Sequence, residues 1–482
     1  MNYVKNTQYI MYILIVYYFL PHILVGSIRI TAQIRNITGG SDVVQNMGRA
    51  FTPNNISEFQ LTGGYHSCYY VSMNISGVQL SISVDSGSTD LAVAGVGLNN
   101  YSSSTGGVTF VMPNNAPSVS GFYADGSWWK GFGLQSTVSL SNSHITASNA
   151  PFSVITSQST NPIFVKGTGN PNQNGLLGVA YHPLSQLSFS PPTVMDAWYA
   201  QGSIKNNEIA FHACPYSQMA DAYIDFGNDS PSYDCNPSGL PIAWALCPSK
   251  SYFTMDVRNI SVSNQQVILP SNFQTTDPSL IGGKYKAWSF IDSCSSLIHV
   301  PAVVNAALKN AIISSGALSN QLSSTVVNNL LSGTYAYSIT PYINWTALPT
   351  LSFDIVSDQT DGTLSKVFTV TLSGQQYLQC DQNAYCTYLV GTGSDAYATL
   401  GIPVFSNLHI TLDRTNGRVG FAPGCGCSTS TNSYPSVYFS NTTIVRTWDP
   451  NSPFPNAARP RLNKPNLVML LVALIHLGFW IL

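Results

Sequence analysis

The chain has 482 residues, enough for two or three domains with a large core. Apolar residues make up 44% of the sequence and charged residues only 8%, and 19 basic against 21 acidic residues leave a formal charge of −2. This balance, with no basic cluster interleaved with aromatic residues, argues against a nucleic-acid partner.

With so few charged residues, the surface needs other polar groups to stay soluble in water, and N-linked glycans are the obvious candidate. Eight Asn-x-Ser/Thr sequons occur, and about half are expected to be used because chance produces some in a chain rich in Asn, Ser and Thr. They begin at Asn36, Asn55, Asn74, Asn100, Asn228, Asn259, Asn344 and Asn441.

The start of the chain predicts a secretory signal peptide over residues 1–27. Lys5 precedes an apolar run over residues 9–25, and the small residues Gly26 and Ser27 follow it. This order of charge, apolar run and small residues is typical of a cleaved signal. The alternative is an N-terminal anchor that is not cleaved.

Residues 28–65 lack the alternation of a strand and predict either a prosegment that covers a cleft or a mobile extension. Short β-branched and aromatic runs then alternate with Gly, Asn, Ser and Pro, as at 108–111, which predicts a mostly-β protein. A turn-rich stretch over 231–248 predicts the junction of two lobes, which we place at 66–240 and 241–427.

Two similar turns, 84–89 and 291–296, carry the most specific signal in the sequence. Each follows an apolar stretch that ends in an aspartate, and the aspartates, Asp85 and Asp292, lie 207 positions apart. A carboxylate at the end of a buried strand is costly unless it is hydrogen-bonded or paired. Two carboxylates brought together cannot both ionise easily, so one keeps a proton and the pair can act as acid and base on a water.

A second repeated element supports this pairing. The apolar segments 176–178 and 399–401 each end in a glycine and follow their aspartates by 93 and 109 residues. The chain therefore predicts two related lobes, each contributing one aspartate.

These features resemble the pepsin-like aspartic proteases. The resemblance runs from about residue 69 to residue 422 and includes a flap-like segment at 123–127 and a lobe-closing segment at 412–422. It implies a bilobal, mostly-β fold, with two pseudo-symmetric lobes and the active site in the cleft between them. It also implies a monomer that takes a protein or peptide substrate and needs no metal or other cofactor.

The resemblance assigns roles to the residues of both turns. Asp85 and Asp292 correspond to the catalytic pair, and the hydroxyls of Ser86 and Ser293 would cross-link the two turns beneath them. The remaining support positions are Gly87, Ser88, Cys294 and Ser295. Of these, Ser88 and Ser295 would hydrogen-bond the outer carboxylate oxygens.

The second turn departs from the family at Cys294, where a glycine is usual. Cysteine keeps the backbone N–H that faces the carboxylate but adds a side chain, and strain follows if the backbone needs a positive φ. Ile402 likewise stands where the family usually has an aspartate. Cys294 therefore leaves open a catalytically silent binding protein on the same fold.

The flap is predicted to contain Tyr123, Gly126 and Trp128. Tyr123 corresponds to the tyrosine that closes over substrate, and the tryptophan that usually holds it is replaced by Ala92. Trp128 is predicted to offer its indole N–H to Tyr123 instead, as in the beta-secretase-like members that this chain resembles here. The alternative is that Trp128 and Trp129 are only apolar cover on a hairpin.

The nine cysteines of a secreted chain should pair as far as an odd number allows. Cys380 and Cys386 bracket a short loop and are the best expected pair, while Cys294 is expected to remain an unpaired thiol. Cys425 and Cys427 have no matching second cluster, so no zinc site is predicted.

The C-terminal segments predict a membrane attachment. Residues 428–466 are polar and proline-spotted, typical of a linker or stalk, and 467–482 form an apolar tail. Small residues at 456–458 and a polar spacer at 459–466 precede this tail, the pattern of a GPI-attachment signal. The alternative is a tail anchor that is retained.

Together these patterns predict an aspartic endopeptidase that enters the secretory pathway and is held on the cell surface or an endomembrane. A surface coat glycoprotein is a weaker alternative, because such a protein has no need of paired aspartates.

Overall fold

The fold is known from a computed structural model, which describes most of the two predicted lobes. The described residues are 58–60, 62–64, 67–98, 107–110, 113–122, 127–160, 174–214, 222–227, 243–277, 285–333, 337–381, 384–424, 435–446 and 448. The predicted signal peptide, most of the predicted prosegment and the predicted C-terminal tail lie outside them.

Short strands dominate the described part of the chain, which confirms the prediction of a mostly-β protein. Strands of the first half are β1 (Glu58–Gln60), β2 (Thr62–Gly64), β3 (Ser67–Ile75), β4 (Val78–Asp85), β5 (Leu91–Ala94), β6 (Ser118–Phe122), β7 (Trp128–Leu140), β8 (Thr146–Gln158), β9 (Gly175–Gly178), β10 (Glu208–His212) and β11 (Tyr223–Phe226). Strands of the second half are β12 (Ala243–Leu246), β13 (Thr254–Met255), β14 (Val257–Val262), β15 (Gln265–Gln266), β16 (Thr276–Asp277), β17 (Tyr285–Lys286), β18 (Ser289–Ile291), β19 (Ile298–Val300), β20 (Tyr337–Ser338), β21 (Leu351–Asp361), β22 (Leu364–Leu372), β23 (Leu378–Cys380), β24 (Tyr385–Tyr388), β25 (Val390–Thr392), β26 (Thr399–Leu400), β27 (Leu408–Asp413), β28 (Arg418–Pro423) and β29 (Ser436–Ile444).

The helices of the described part are short. They are α1 (Val194–Ala200), α2 (Ala302–Ser314), α3 (Ser324–Leu331), α4 (Gly374–Tyr377) and α5 (Ile402–Phe405), with 3-10 turns at His182–Leu184, Thr340–Tyr342 and Trp345–Ala347. Among the described residues no helix has the length and apolar character needed to cross a membrane.

An eight-stranded sheet forms the first lobe, in the order β2-β3-β4-β9-β5-β8-β7-β6. Leu80, Ile82 and Val84 alternate along β4 and are buried, because side chains two positions apart share one face of a strand. β4 pairs in parallel with β9, and this register places Asp85 opposite Gly178. The sheet thus brings the end of the aspartate-bearing strand to the glycine end of its neighbour.

A five-stranded sheet of the second lobe, β13-β18-β26-β19-β25, repeats this arrangement. β18 pairs in parallel with β26, as β4 does with β9, and β19 pairs antiparallel with β26, as β5 does with β9. A parallel outer strand follows in both lobes, β8 beside β5 and β25 beside β19. The two-lobe repeat predicted from the paired motifs is therefore present in the strand topology.

A six-stranded sheet, β1-β11-β10-β27-β28-β12, joins the lobes. β10 comes from the first half of the chain and pairs antiparallel with β27, which belongs to the lobe-closing segment of the second half. Arg414, just beyond β27, forms a 2.9 Å ion pair with Asp196 of α1. Because this sheet contains strands from both halves, it fixes one lobe to the other.

Part of the predicted linker is folded, which corrects the prediction of a stalk over 428–466. Ser436–Ile444 form β29, which pairs antiparallel with β22 and completes a five-stranded sheet in the order β15-β14-β21-β22-β29. Val437 and Phe439, two positions apart, pack against the core. Beyond this strand, Trp448 donates its indole N–H to Asp256 at 3.0 Å. Residues 436–446 and 448 thus extend the second lobe.

The cysteines confirm one expected pair and correct another expectation. Cys380 and Cys386 form a disulfide across adjacent strands, as predicted. Cys294, expected to be an unpaired thiol, is instead bonded to Cys68 at the start of the first lobe's sheet. The free thiol among the described cysteines is Cys247, which is buried. Disulfides of this kind are typical of secreted or extracellular proteins.

Two buried histidines predict a loss of stability in acid. Burial lowers the pKa of His409 to about 4. Burial also lowers the pKa of His299 to about 4, and the backbone of Thr392 partly opposes this shift. In the unfolded chain both pKa values return to about 6.5, so the unfolded state gains protons first as the pH falls. We therefore expect the free energy of unfolding to drop by about 2 kcal/mol per histidine between pH 6.5 and 4.5.

Urea unfolding of the wild type and of His409→Gln at these two pH values measures this effect. The variant cannot titrate at this position and should lose about 2 kcal/mol less than the wild type over the interval. His144→Gln, at an exposed position, is the matched control and should behave as the wild type does. An equal loss in His409→Gln and the wild type would contradict the assignment of the acid sensitivity to His409.

Candidate active site

Asp85 and Asp292 lie at equivalent places in the two lobes, and both are fully buried. Asp85 ends β4, and Asp292 directly follows β18. The backbone N–H of Gly87 donates to Oδ1 of Asp85 at 2.8 Å, and the N–H of Cys294 donates to Oδ1 of Asp292 at 2.9 Å. Each turn therefore holds one oxygen of its carboxylate in the same way.

The two turns face each other closely. A Cβ built on Gly87 would lie 2.9 Å from Oδ2 and 3.0 Å from Cγ of Asp292. The carboxylate of the second turn thus lies against the backbone of the first, and a side chain at Gly87 would displace it. Glycine is required here by this close approach, not by its φ angle.

Ser86 and Ser293 cross-link the turns in the arrangement that the family resemblance implies. Each backbone N–H donates to the other serine's hydroxyl, at 3.0 Å from Ser86 and 2.9 Å from Ser293. Each hydroxyl then donates to a carbonyl of the opposite strand, Ser86 to Ile291 at 3.1 Å and Ser293 to Val84 at 2.8 Å. Four reciprocal hydrogen bonds therefore tie the two aspartate-bearing turns together.

The two glycine-ended strands give the turns room. A Cβ on Gly178 would clash with the backbone of Ser88 and Thr89, and a Cβ on Gly401 would clash with the carbonyls of Ser295 and Leu297. Each catalytic turn thus packs directly on a glycine of its neighbouring strand. Glycine recurs at these two positions because any side chain there would overlap the backbone of the neighbouring turn.

The hydroxyls of Ser88 and Ser295 do not make the bonds that were predicted for them. Ser295 donates to the carbonyl of Leu297 at 3.0 Å, because its turn points the hydroxyl along the chain. The Ser88 hydroxyl is buried and has no hydrogen-bond partner among the described residues. Oδ2 of Asp85 also lacks a hydrogen-bond partner within the described part of the chain.

The second turn tolerates its cysteine and its neighbouring isoleucine. Cys294 is not among the residues with a positive φ, so the strain considered from the sequence does not arise. Ile402, where an aspartate is usual, is buried at the start of α5 and packs in the core. Both departures are accommodated by apolar surroundings.

On the flap, Trp129 rather than Trp128 occupies the space next to Ala92. Trp129 is only 3% exposed and belongs to the same buried cluster as Ala92 and Leu176. Trp128 is half-buried, with the Lys130 ammonium 5.2 Å from its ring centre. Tyr123 and Gly126 lie outside the described residues, so the predicted bond between Trp128 and Tyr123 stays a prediction.

Trp129 also lines a small cavity, of about 30 Å³, beside the first catalytic turn. Ser88, Ala92 and Gly121 contribute to the same wall. Gly121 pairs with Trp129 across the flap hairpin, and a Cβ on Gly121 would overlap the indole ring. The indole therefore lies over Gly121 because that position has no side chain.

We expect Gly121→Ala to push the Trp129 indole out of its place and to lower kcat/KM about tenfold for peptide hydrolysis, since misplaced binding groups cost rate. Steady-state kinetics and the tryptophan fluorescence of the variant measure both effects. Ser120→Ala, on the neighbouring position of the same strand, is the control and should leave both unchanged. Wild-type kinetics in Gly121→Ala would show that the position of Trp129 does not matter for activity.

The remaining described residues offer no competing centre of this kind. Within them no group of three or more His, Cys, Asp or Glu side chains is arranged to hold a metal ion. In comparison with known protein families, the model of the eukaryotic aspartyl protease family matches residues 68–424.

Proposed function

Because the chain belongs to the eukaryotic aspartyl protease family, we propose that it is an endopeptidase in which Asp85 and Asp292 together activate a water molecule. The observation that carries this proposal is the doubled arrangement of the turns. Each aspartate has one carboxylate oxygen held by a backbone N–H, and two serines join the turns beneath the pair.

A carboxylate pair of this kind acts by sharing one proton. The ionised carboxylate takes a proton from the water as the water oxygen attacks the peptide carbonyl carbon, and the protonated carboxylate donates to the carbonyl oxygen. The resulting diol breaks at its C–N bond as one carboxyl donates its proton to the amide nitrogen and the other carboxylate takes a proton from a diol hydroxyl, which releases an amine and a carboxylic acid and returns one shared proton to the pair. Oδ2 of Asp85, buried and without a partner in the described part of the chain, is suited to hold this water.

The substrate is a protein or peptide in extended form, bound across the cleft between the lobes. The hairpin of β6 and β7 carries Trp129 to the small cavity beside the first turn. A flap of this kind excludes water from the reacting bond when it closes. The chain is proposed to act as a monomer, because each of the two aspartates comes from one of its own lobes.

The second candidate is a catalytically silent binding protein on the same fold, and Cys294 is the observation that favours it. A side chain stands where a glycine is usual, beside the carboxylate pair. Binding and catalysis are separable on one fold, since function depends on the site rather than on the architecture.

A peptide library tests the two candidates. The purified protein, freed of any prosegment, is expected to cleave a subset of the library, and a statine-type peptide, whose hydroxyl imitates the diol, should block this cleavage. Binding of the statine-type peptide without any cleavage between pH 3 and 7 would instead support the silent binding protein.

The proposed location is the outer surface of the cell or an endomembrane, with a signal peptide at the start and a GPI anchor at the end. The disulfides support a secretory route, and the sequence of residues 456–482 supports the anchor. Asn344 and Asn441 are exposed sequons that suit glycans. Mass spectrometry of the mature protein should find residues 467–482 removed, and a phosphatidylinositol-specific phospholipase should release the protein from cells. An intact tail would contradict the GPI anchor.

A further inference from the structure

The disulfide between Cys68 and Cys294 connects the two lobes at the active site. Cys68 lies in β3 of the first lobe's sheet, and Cys294 lies in the second catalytic turn, two residues after Asp292. The Cα atoms are 4.4 Å apart although the residues are separated by 226 positions in the sequence. A covalent bond therefore reaches from the first lobe to the turn that holds the second carboxylate.

The local symmetry of the turns shows what a side chain at residue 294 must avoid. Gly87 and Cys294 are equivalent, because each donates its N–H to the carboxylate oxygen of its own turn. A Cβ on Gly87 would lie 2.9 to 3.1 Å from the carboxylate atoms of Asp292. By the pseudo-symmetry of the turns, the Cβ of Cys294 corresponds to this added Cβ, on the side of Asp85, so the direction of its Sγ decides whether the carboxylate pair stays accessible.

The disulfide sets that direction. Cys68 and Cys294 are each 5% exposed and belong to one buried apolar cluster with Ala92, Trp129 and Leu176. The Sγ of Cys294 is therefore held in this cluster by its bond to Cys68. A free cysteine side chain has three staggered positions for its Sγ, and the bond leaves only one of them.

We propose that Cys68 is a positioning residue of the active site. Its bond to Cys294 keeps that side chain away from the carboxylate pair. The inference rests on the proposed peptidase function. It explains how a cysteine replaces the usual glycine in a working site, since the partner cysteine removes the harm that the extra side chain would do.

The disulfide is not needed to keep the two turns together. Ser86 and Ser293 already join them by four reciprocal hydrogen bonds. Loss of the disulfide should therefore leave the turns paired and act on the direction of the Cys294 side chain. This predicts an effect on kcat that exceeds the effect on KM.

Three variants test the proposal. Cys68→Ser frees the Cys294 thiol and is expected to lower kcat about tenfold with little change in KM, because a group displaced by about 1 Å in a reacting site has effects of this size or larger. Cys68→Ser/Cys294→Gly also lacks the disulfide but has the usual glycine, and its kcat should return to within about threefold of the wild type. Cys380→Ser/Cys386→Ser removes a disulfide within the second lobe and should leave kcat unchanged.

The melting temperatures of the first two variants separate positioning from stability. Both lack the same cross-link, so a purely structural role would lower Tm and kcat together in both. Rescue of kcat by Cys294→Gly at the same lowered Tm is the result that only positioning predicts. A wild-type kcat in Cys68→Ser, an unrescued double variant, or a double variant faster than the wild type would each overturn the proposal.

The affinity for a statine-type peptide tests the positioning role of Cys68 separately from the proposed peptidase function. If the wild type hydrolyses no peptide, the peptidase proposal fails, but calorimetry with this peptide still reports access to the carboxylate pair. Positioning by Cys68 then predicts weaker binding in Cys68→Ser and restored binding in Cys68→Ser/Cys294→Gly. Equal affinities in all three proteins would overturn the positioning role.

Discussion

Asp85→Asn and Asp292→Asn are each expected to lower kcat for peptide hydrolysis by at least about 10⁴-fold, because residues that act as a unit lose nearly all catalysis when one is removed. An asparagine keeps the shape of the side chain and an acceptor oxygen, so the N–H of Gly87 or Cys294 still finds its partner. What is lost is the ability to share a proton. Steady-state kinetics on a peptide from the library, with purified protein, measure the loss.

The fold of these variants should remain intact. Asp361→Asn, at an exposed position of β21, is the matched control and should keep wild-type kinetics. The far-ultraviolet circular dichroism of all three variants should equal that of the wild type. Near-normal turnover in either Asp85→Asn or Asp292→Asn would show that the assigned pair is not the catalytic one.

Arg414→Ala is expected to lower the free energy of unfolding by about 3 kcal/mol, the lower end of the usual cost for a buried ion pair, because the Asp196 side chain is 22% exposed. The Arg414 guanidinium donates to Asp196 at 2.9 Å and to the Asn207 side-chain oxygen at 2.9 Å, and it is nearly fully buried. Its removal leaves the Asp196 carboxylate without its cation next to the sheet that joins the lobes. Urea unfolding at pH 7 measures the difference.

The pH dependence of this variant checks the cause. Burial opposes ionisation of Asp196, but Arg414 and three hydrogen bonds outweigh it and hold the pKa below its usual value of 3.8. The stabilisation is therefore present above that value and is lost as the pH falls towards the lowered pKa.

Lys205→Ala, at an exposed position, is the control and should change stability by less than about 0.5 kcal/mol. A similarly small effect of Arg414→Ala would contradict the role of the buried pair.

The sequence alone predicted the parts of this molecule that have a local pattern. The alternation of apolar residues in β4 marked a strand with one buried face, and the turn after it could be recognised from its small and hydroxyl-bearing residues. Doubling of the turn, and of the glycine-ended strand, predicted two lobes of the same topology. These features depend on neighbours in the chain, which is why a mostly-β protein of two lobes could be predicted from the residues, while the pepsin-like fold was implied by the family resemblance.

Features that depend on distant contacts were missed. The pairing of Cys294 with Cys68 follows from the approach of two lobes across 226 positions, and no local pattern contains that distance. The burial of Trp129 beside Ala92 was not predicted either, because the register of the hairpin decides which of two neighbouring residues faces inward. The number of residues between Tyr123 and each tryptophan does not determine this register.

The sequence of the predicted stalk does contain a strand pattern, but the composition of the whole segment favoured a linker. Val437 and Phe439 are two positions apart among polar neighbours, which is the pattern of a strand with one face on a core. The polar and proline-rich composition of the wider segment hid this short pattern. The strand pattern is recognisable when residues 436–444 are considered apart from the residues on either side.

The central claim is that this protein hydrolyses peptide bonds with a water activated by its two aspartates. The most direct measurement is cleavage of a peptide library by the purified wild type in water labelled with ¹⁸O, followed by mass spectrometry of the products. The account predicts new C-termini that carry ¹⁸O, and it predicts that neither a sample with a statine-type peptide nor the Asp85→Asn variant produces them. No new C-termini from the wild type, or the same labelled products from Asp85→Asn, would contradict it.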